Sequence, residues 1–104
     1  LKRFKGKKIL AFAGIGNPVN FFNLLRDNGL KVKKEISFPD HYNYTKKEIK
    51  NLIFKAEEEG LTLLTTEKDF FRLKRSGFRK INYVSVNLKI LNYKSFEKVL
   101  LRNL

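Results

Sequence analysis

Apolar residues along the chain fall into short runs separated by segments of helical periodicity. The run KKILAFAG at 7–14 is almost continuously apolar, which is typical of a strand buried on both faces. The segment LKVKKEISF at 30–38 alternates apolar and polar residues, so we expect a second strand nearer the edge of a sheet. We predict a short buried strand for LTLLT at 61–65 and a fourth strand for INYVSV at 81–86.

Segments with the signals of a helix follow the predicted strands. Between 17 and 29, Asn17 is a favourable N-cap and the apolar residues recur on one face. Between 45 and 60, Thr45 and Glu48 have the spacing of a capping box. Two further helices are predicted, a short one at 66–74 and a last one at 95–104.

This alternation of strands and helices indicates βαβ units, in which the strands are parallel and the crossovers right-handed. We therefore predict an α/β fold, a mostly parallel four- to five-stranded sheet flanked by helices in a Rossmann-like three-layer α/β/α arrangement. The 104 residues are expected to form a single domain, residues 1–104. Ligands of such sheets bind beyond the carboxyl ends of the strands.

Composition narrows the chemistry that the chain can carry. It has no cysteine, which excludes disulfides and thiolate metal sites, and with one histidine and few carboxylates we predict no metal site. No apolar run approaches the length of a membrane span. The net charge of +13 has two explanations, an anionic partner such as nucleic acid or lipid, or a genome whose base composition favours Lys codons.

Three unusual loops follow the first three predicted strands, and the first is the glycine loop, GIGNP at 14–18. Gly14 and Gly16 precede a helix, where backbone amides and the helix dipole can hold an anion. The dinucleotide fingerprint would require glycine where Val19 stands, and the ATP-binding phosphate loop occurs nowhere in the chain. A plain strand-to-helix turn is the alternative.

The second is the histidine loop, FPDHYNYT at 38–45, which contains the only histidine. His41 can donate, accept or transfer a proton near neutral pH, and Asp40 precedes it directly. A loop histidine with a structural hydrogen bond is the alternative interpretation.

The third loop leads into the TEKD segment, residues 66–69, at a predicted helix start. Lys68 and the helix amides can bind a phosphate. Thr66 and Asp69 also have capping spacing, and Glu67 or Asp69 can pair with Lys68, so a purely structural role is the alternative.

Together these stretches are similar to a known family. AFAGIGNPVNFF, FPDHYNYT and LLTTEKDFFRL, in this order and spacing, resemble the carboxyl-terminal part of the tetraacyldisaccharide 4'-kinase family, the lipid A kinases. The resemblance runs from about Ile9 to about Leu73 and is weaker beyond. Each motif alone is modest, whereas the three in series are specific.

The resemblance implies a transferase that moves the γ-phosphate of ATP to the 4'-hydroxyl of tetraacyldisaccharide 1-phosphate, forming lipid IVA. Such enzymes act peripherally at the cytoplasmic face of the inner membrane of Gram-negative bacteria. The family has an amino-terminal phosphate-loop domain, which mainly holds ATP and Mg²⁺, and a smaller carboxyl-terminal α/β domain. We expect this chain to be the second domain only, to be inactive alone, and to bind no nucleic acid.

The family's Asp-His pair matches Asp40 and His41, which are the predicted catalytic residues. The resemblance implies that this histidine faces the catalytic aspartate of the kinase domain across a cleft. We expect the other matching residues to bind substrate or phosphate and to shape the closing face of the cleft: Gly14, Gly16, Asn17, Thr66, Glu67, Lys68 and Asp69.

Two other functions remain open from the residues alone. One is a freestanding basic α/β module that binds nucleic acid, which predicts Lys and Arg gathered on one face. The other is a small independent enzyme, which requires Asp69 or Glu67 within hydrogen-bond reach of His41.

Overall fold

Strands and helices alternate in the computed structural model, which describes residues 4, 6–78 and 81–84. The predicted helix at 95–104 and the last two residues of the predicted fourth strand lie outside the described residues. The elements in chain order are β1 (Lys8–Ala13), α1 (Pro18–Asp27), β2 (Lys31–Ser37), α2 (Lys46–Glu58), β3 (Thr62–Thr66), α3 (Glu67–Arg75) and β4 (Asn82–Val84).

The four described strands form one parallel sheet in the order β2-β1-β3-β4. The predicted α/β class is therefore confirmed, and so is the prediction that the second strand lies at an edge. Because all four strands are parallel, the loops after β1, β2 and β3 leave the sheet at one edge, which we call the carboxyl edge.

Helices cover both faces of the sheet because β1 is apolar on both sides. Ile9, Ala11 and Ala13 face α1, whereas Leu10 and Phe12 face α2 and α3. Burial of each large apolar side chain contributes roughly 1.5–3 kcal/mol. The layers are thus α1, the sheet, and α2 with α3. The helix-side core residues are Phe21, Phe22 and Leu25 on α1, Ile49, Leu52 and Ala56 on α2, and Leu73 on α3.

Side-chain caps start all three described helices, as the sequence predicts. Asn17 Oδ1 accepts a hydrogen bond from the amide of Asn20. Thr45 and Glu48 form both bonds of the capping box. None of these helices is both long and apolar enough to cross a lipid bilayer.

Candidate functional site

The three loops meet at the backbone of Gly14. Its amide donates to both carboxylate oxygens of Asp69 at 3.1 Å, and its carbonyl accepts from the amide of His41 at 3.0 Å. The glycine loop, the histidine loop and the TEKD segment are therefore tied together by direct hydrogen bonds at the carboxyl edge.

The close packing around Gly14 leaves little room for a side chain. A Cβ atom there would lie 3.0 Å from the Tyr44 hydroxyl, 3.1 Å from the Pro39 carbonyl oxygen and 3.2 Å from Asp69 Oδ1. Two of these three neighbours are backbone or a buried group with little freedom to move. Glycine is needed here because other groups approach the backbone closely.

Asp69 is fully buried, and its carboxylate accepts hydrogen bonds from all three segments of the site. Besides the Gly14 amide, its carboxylate accepts from the Thr66 hydroxyl at 2.6 Å and from the Tyr44 hydroxyl at 2.8 Å. Thr66 in turn caps α3 by accepting from the Asp69 amide at 3.1 Å. A buried carboxylate with this many donors is satisfied, so Asp69 and Thr66 have the hydrogen bonds that a structural role of the TEKD segment requires.

Tyr44 is a neutral donor in this network. Burial, and next the negative charge of Asp69, raise the pKa of Tyr44 well above its ordinary value of 10.0. Its ring also lies edge-on to Phe12 and Phe38, with centroid distances of 5.7 and 4.9 Å. The histidine loop thus packs on aromatic rings and is anchored at its end to Asp69.

Tyr42 connects the histidine loop to the start of α2. Its ring stacks on Phe38 at 4.9 Å, and its hydroxyl donates to Glu48 at 2.5 Å. The hydrogen bond to the carboxylate raises the pKa of Tyr42. That same bond, followed by the bond from the Thr45 amide, lowers the pKa of Glu48.

His41 lies at the surface, outside these packed aromatic and hydrogen-bonded groups. Its side chain is 78% exposed, and its φ of 59° is in the left-handed region, which is uncommon for residues other than glycine. Nε2 lies 3.7 Å from Asp40 Oδ2, and Nδ1 lies 2.7 Å from Arg72 Nη2. The ring is therefore accessible from solvent, contacts Arg72 through Nδ1, and has the Asp40 carboxylate beyond hydrogen-bonding distance of Nε2.

The remaining predicted site residues differ in how close they come to this centre. Gly16 is exposed and near Asp40, since a Cβ atom on it would lie 3.6 Å from Asp40 Oδ2. Lys68 is exposed and Glu67 half-buried on the first turn of α3. The Asn17 side chain accepts from the Asn20 amide at the start of α1.

Sequence reasoning missed Tyr44 and Arg72, which both contact the centre. Arg72 Nη1 donates to the Gly14 carbonyl at 3.0 Å and lies 3.6 Å from Asp69 Oδ1. Its position one helical turn after Asp69 is a weak signal, because such i, i+3 pairs are common on solvated helices.

We predict that the described residues leave most of the binding of ATP and Mg²⁺ to another domain. Among them, no three carboxylate or imidazole groups are close enough together to hold a metal ion. The Gly14 amide, which was a candidate for phosphate binding, donates to the Asp69 carboxylate instead. The prediction that ATP and Mg²⁺ are held mainly by another domain stays a prediction.

The geometry also bears on the independent-enzyme alternative. That alternative requires a carboxylate such as Asp69 within hydrogen-bond reach of His41. The guanidinium of Arg72 contacts both groups instead, with Nη2 at 2.7 Å from the imidazole and Nη1 at 3.6 Å from the carboxylate. Asp69 is therefore placed to act on Arg72 rather than on His41 directly.

Comparison with known proteins adds the evolutionary context of this site. The tetraacyldisaccharide-1-P 4'-kinase family matches residues 1–104. A tetraacyldisaccharide 4'-kinase of Rhodopseudomonas palustris (strain BisB5) is 48% identical over 73 residues, which cover 70% of this chain and 22% of that protein. Proteins of the same name from Pelagibacter ubique (strain HTCC1062) and Gluconobacter oxydans (strain 621H) are 36% and 38% identical, and the matches cover 94% and 96% of this chain.

These relatives are much longer than this chain. The matched region is 31% of the length of the Pelagibacter and Gluconobacter proteins, so the chain spans about a third of each. No solved structure matches the chain.

Proposed function

Since the chain belongs to the tetraacyldisaccharide-1-P 4'-kinase family, we propose that it is the carboxyl-terminal domain of a two-domain lipid A 4'-kinase. The whole enzyme transfers the γ-phosphate of ATP to the 4'-hydroxyl of tetraacyldisaccharide 1-phosphate and so forms lipid IVA. The amino-terminal phosphate-loop domain holds ATP and Mg²⁺, and this chain supplies one wall of the cleft. Alone, the chain is inactive.

The observation that carries this proposal is the placement of His41. His41 carries the one imidazole of the chain, its side chain is 78% exposed, and its backbone amide donates to the Gly14 carbonyl. A side chain whose backbone is held by hydrogen bonds and whose ring is open to solvent can complete a site whose other half is on a second domain.

In the proposed mechanism His41 acts together with a carboxylate of the amino-terminal domain. That carboxylate takes the proton of the attacking sugar hydroxyl, and the imidazole of His41 orients it. Asp40, with Oδ2 at 3.7 Å from Nε2, is the second residue of this chain at the reacting edge. Closure of the two domains excludes water from the cleft, which strengthens every polar contact inside it.

The other predicted site residues are proposed to shape the closing face and to support His41. Gly14 and Asp69 do so through the hydrogen bonds that tie the three loops together. The set comprises Gly14, Gly16, Asn17, Thr66, Glu67, Lys68 and Asp69.

We place the enzyme peripherally at the cytoplasmic face of the inner membrane, where its acylated substrate resides. The net charge of +13 supports this location, because anionic lipid attracts basic surfaces. Its partners are then the amino-terminal domain and the acylated disaccharide phosphate, and no nucleic acid.

The proposal is tested by His41→Ala in the full-length enzyme, assayed for phosphate transfer to the lipid acceptor. We expect kcat to fall about 10²-fold or more, because the carboxylate that takes the proton loses the group that orients it. Thermal unfolding should stay near that of the unmodified enzyme because the ring is mostly exposed.

Asn43→Ala is the matched control, since Asn43 is exposed in the same loop. Near-normal turnover of His41→Ala would reject the role of His41. Absence of lipid phosphorylation by the unmodified full-length enzyme would reject the proposed function as a whole.

A further inference from the structure

Arg72 is the residue through which α3 reaches the histidine loop. Its guanidinium donates from Nη1 to the Gly14 carbonyl at 3.0 Å and contacts His41 Nδ1 from Nη2 at 2.7 Å. Nη1 also lies 3.6 Å from Oδ1 of the fully buried Asp69. One planar group thus spans the backbone of one loop and the side chain of another.

We propose that Arg72 is a positioning residue for His41, an inference that rests on the proposed function. A guanidinium carries donors only, so Nδ1 of His41 must be the acceptor in this contact. The neutral imidazole then carries its proton on Nε2, the nitrogen nearer Asp40. Arg72 therefore selects both the rotamer and the tautomer of His41.

Asp69 keeps the guanidinium in place. The side chain of Arg72 is 21% exposed and that of Asp69 is fully buried, so their attraction is only partly screened by water. The carboxylate itself is immobilised by the Gly14 amide and the Thr66 and Tyr44 hydroxyls. Asp69, Arg72 and His41 form a connected series from the core to the exposed imidazole.

His41 needs this support because little else restrains its ring. The side chain is 78% exposed, and exposed side chains change rotamer within picoseconds to nanoseconds. A displacement of about 1 Å in a reacting group can cost a factor of about 10² in rate. The two donor nitrogens of Arg72 fix the imidazole relative to the glycine loop. A lysine at this position would hold the two groups less precisely, because its ammonium lacks the planar geometry of a guanidinium.

A double-mutant cycle in the full-length enzyme separates positioning from general stability. Arg72→Met is expected to lower kcat roughly 10- to 100-fold with KM for ATP and lipid nearly unchanged, the size of effect typical of a misplaced reacting group. In the His41→Ala background the same change should lower kcat by less than about twofold, because the residue that it positions is gone. Arg75→Met is the control, as Arg75 is exposed on the same helix and carries the same charge.

An equal loss of kcat from Arg72→Met in both backgrounds would overturn the proposal, since a structural role acts whether or not His41 is present. Loss of activity in the Arg75→Met control to the level of Arg72→Met would also overturn it. If the unmodified enzyme phosphorylates no lipid, the proposed function fails, and the second measurement then decides the role of Arg72.

The second measurement is the nitrogen NMR spectrum of the full-length protein labelled with ¹⁵N-histidine. The His41 signals are identified by their loss in His41→Ala. We expect the proton on Nε2 in the unmodified protein and a mixture of tautomers in Arg72→Met. A proton on Nδ1 in the unmodified protein, or an unchanged spectrum in the variant, would overturn the proposal. If Arg72→Met fails to fold, Arg72→Lys replaces it in both measurements, because its ammonium keeps the charge beside Asp69.

Discussion

At the scale of single residues, the two glycines of the glycine loop have different structural roles. Three groups of two other segments surround the position of a Cβ atom on Gly14, the nearest at 3.0 Å. Gly16 has only Asp40 nearby, at 3.6 Å, which is ordinary van der Waals contact. The glycine pair resembles a phosphate-binding turn in sequence, but at Gly14 the requirement for glycine comes from packing.

We therefore expect Gly14→Ala to lower the free energy of unfolding by about 1–3 kcal/mol, the usual cost of overpacking. Gly16→Ala is the matched control and should change it by no more than about 0.5 kcal/mol, as for most surface substitutions. Chemical denaturation of both variants gives the comparison. Equal stability of the two variants would show that the groups around Gly14 move aside for a methyl group without cost.

At the scale of elements, the capping box of α2 also holds the histidine loop. Glu48 accepts from the amide and hydroxyl of Thr45 at the start of the helix, and from the hydroxyl of Tyr42 at 2.5 Å. Formation of the first turn of α2 and the shape of the loop are therefore linked through one carboxylate. A motif that the sequence predicts as a local helix start thus contributes to the site.

This link predicts a dependence of stability on acid. Hydrogen bonds from Tyr42 and Thr45 lower the pKa of Glu48 from its ordinary 4.5, so ionised Glu48 stabilises the folded state. The stabilisation is complete above pH 4.5 and is lost as the pH falls through the folded-state pKa. The difference in denaturation midpoint between the unmodified protein and Glu48→Gln should shrink below pH 4.5.

Glu57→Gln is the control for removing one charge from the exposed side of the same helix. A difference between Glu48→Gln and the unmodified protein that stays constant from neutral pH into the acid range would contradict the assignment.

At the scale of the whole molecule, the parallel sheet brings the three loops of the candidate site together, and exposed lysines lie on several of the described elements. Exposed lysines lie on α2, on α3, on β2 and at the start of β1. A nucleic-acid module is expected to gather such residues on one face. A direct binding measurement therefore separates the proposed function from that alternative.

We expect the isolated chain to show neither kinase activity nor tight binding of DNA. We expect no phosphate transfer from ATP to the lipid acceptor, and binding to duplex DNA no tighter than about 10⁻⁶ M at physiological salt, the range of non-specific binding. A kinase assay and fluorescence anisotropy measure the two. Tighter DNA binding with a steep salt dependence would favour the nucleic-acid function. Lipid phosphorylation by the isolated chain would refute the proposal that it supplies only one wall of the active-site cleft.

Much of the fold follows from patterns within a few residues of one another. The buried run of β1, the alternation in β2 and the caps at Asn17, Thr45 and Thr66 are visible in the sequence, and all are confirmed. The parallel arrangement follows from the βαβ order, and with it the meeting of the three loops at one edge.

By itself, then, the sequence determined the described elements, the parallel direction of the strands and the edge that carries the loops, but not the order of the strands, because caps and periodicity act over three or four residues. Only the tertiary structure decided that Asp69 is buried and hydrogen-bonded to three segments, that neighbours crowd a Cβ position on Gly14 and that Arg72 contacts His41. Those contacts join residues 55 and 31 positions apart in the chain, for the Gly14–Asp69 and Arg72–His41 pairs. Their geometry depends on how helices pack on the sheet, which no local pattern encodes.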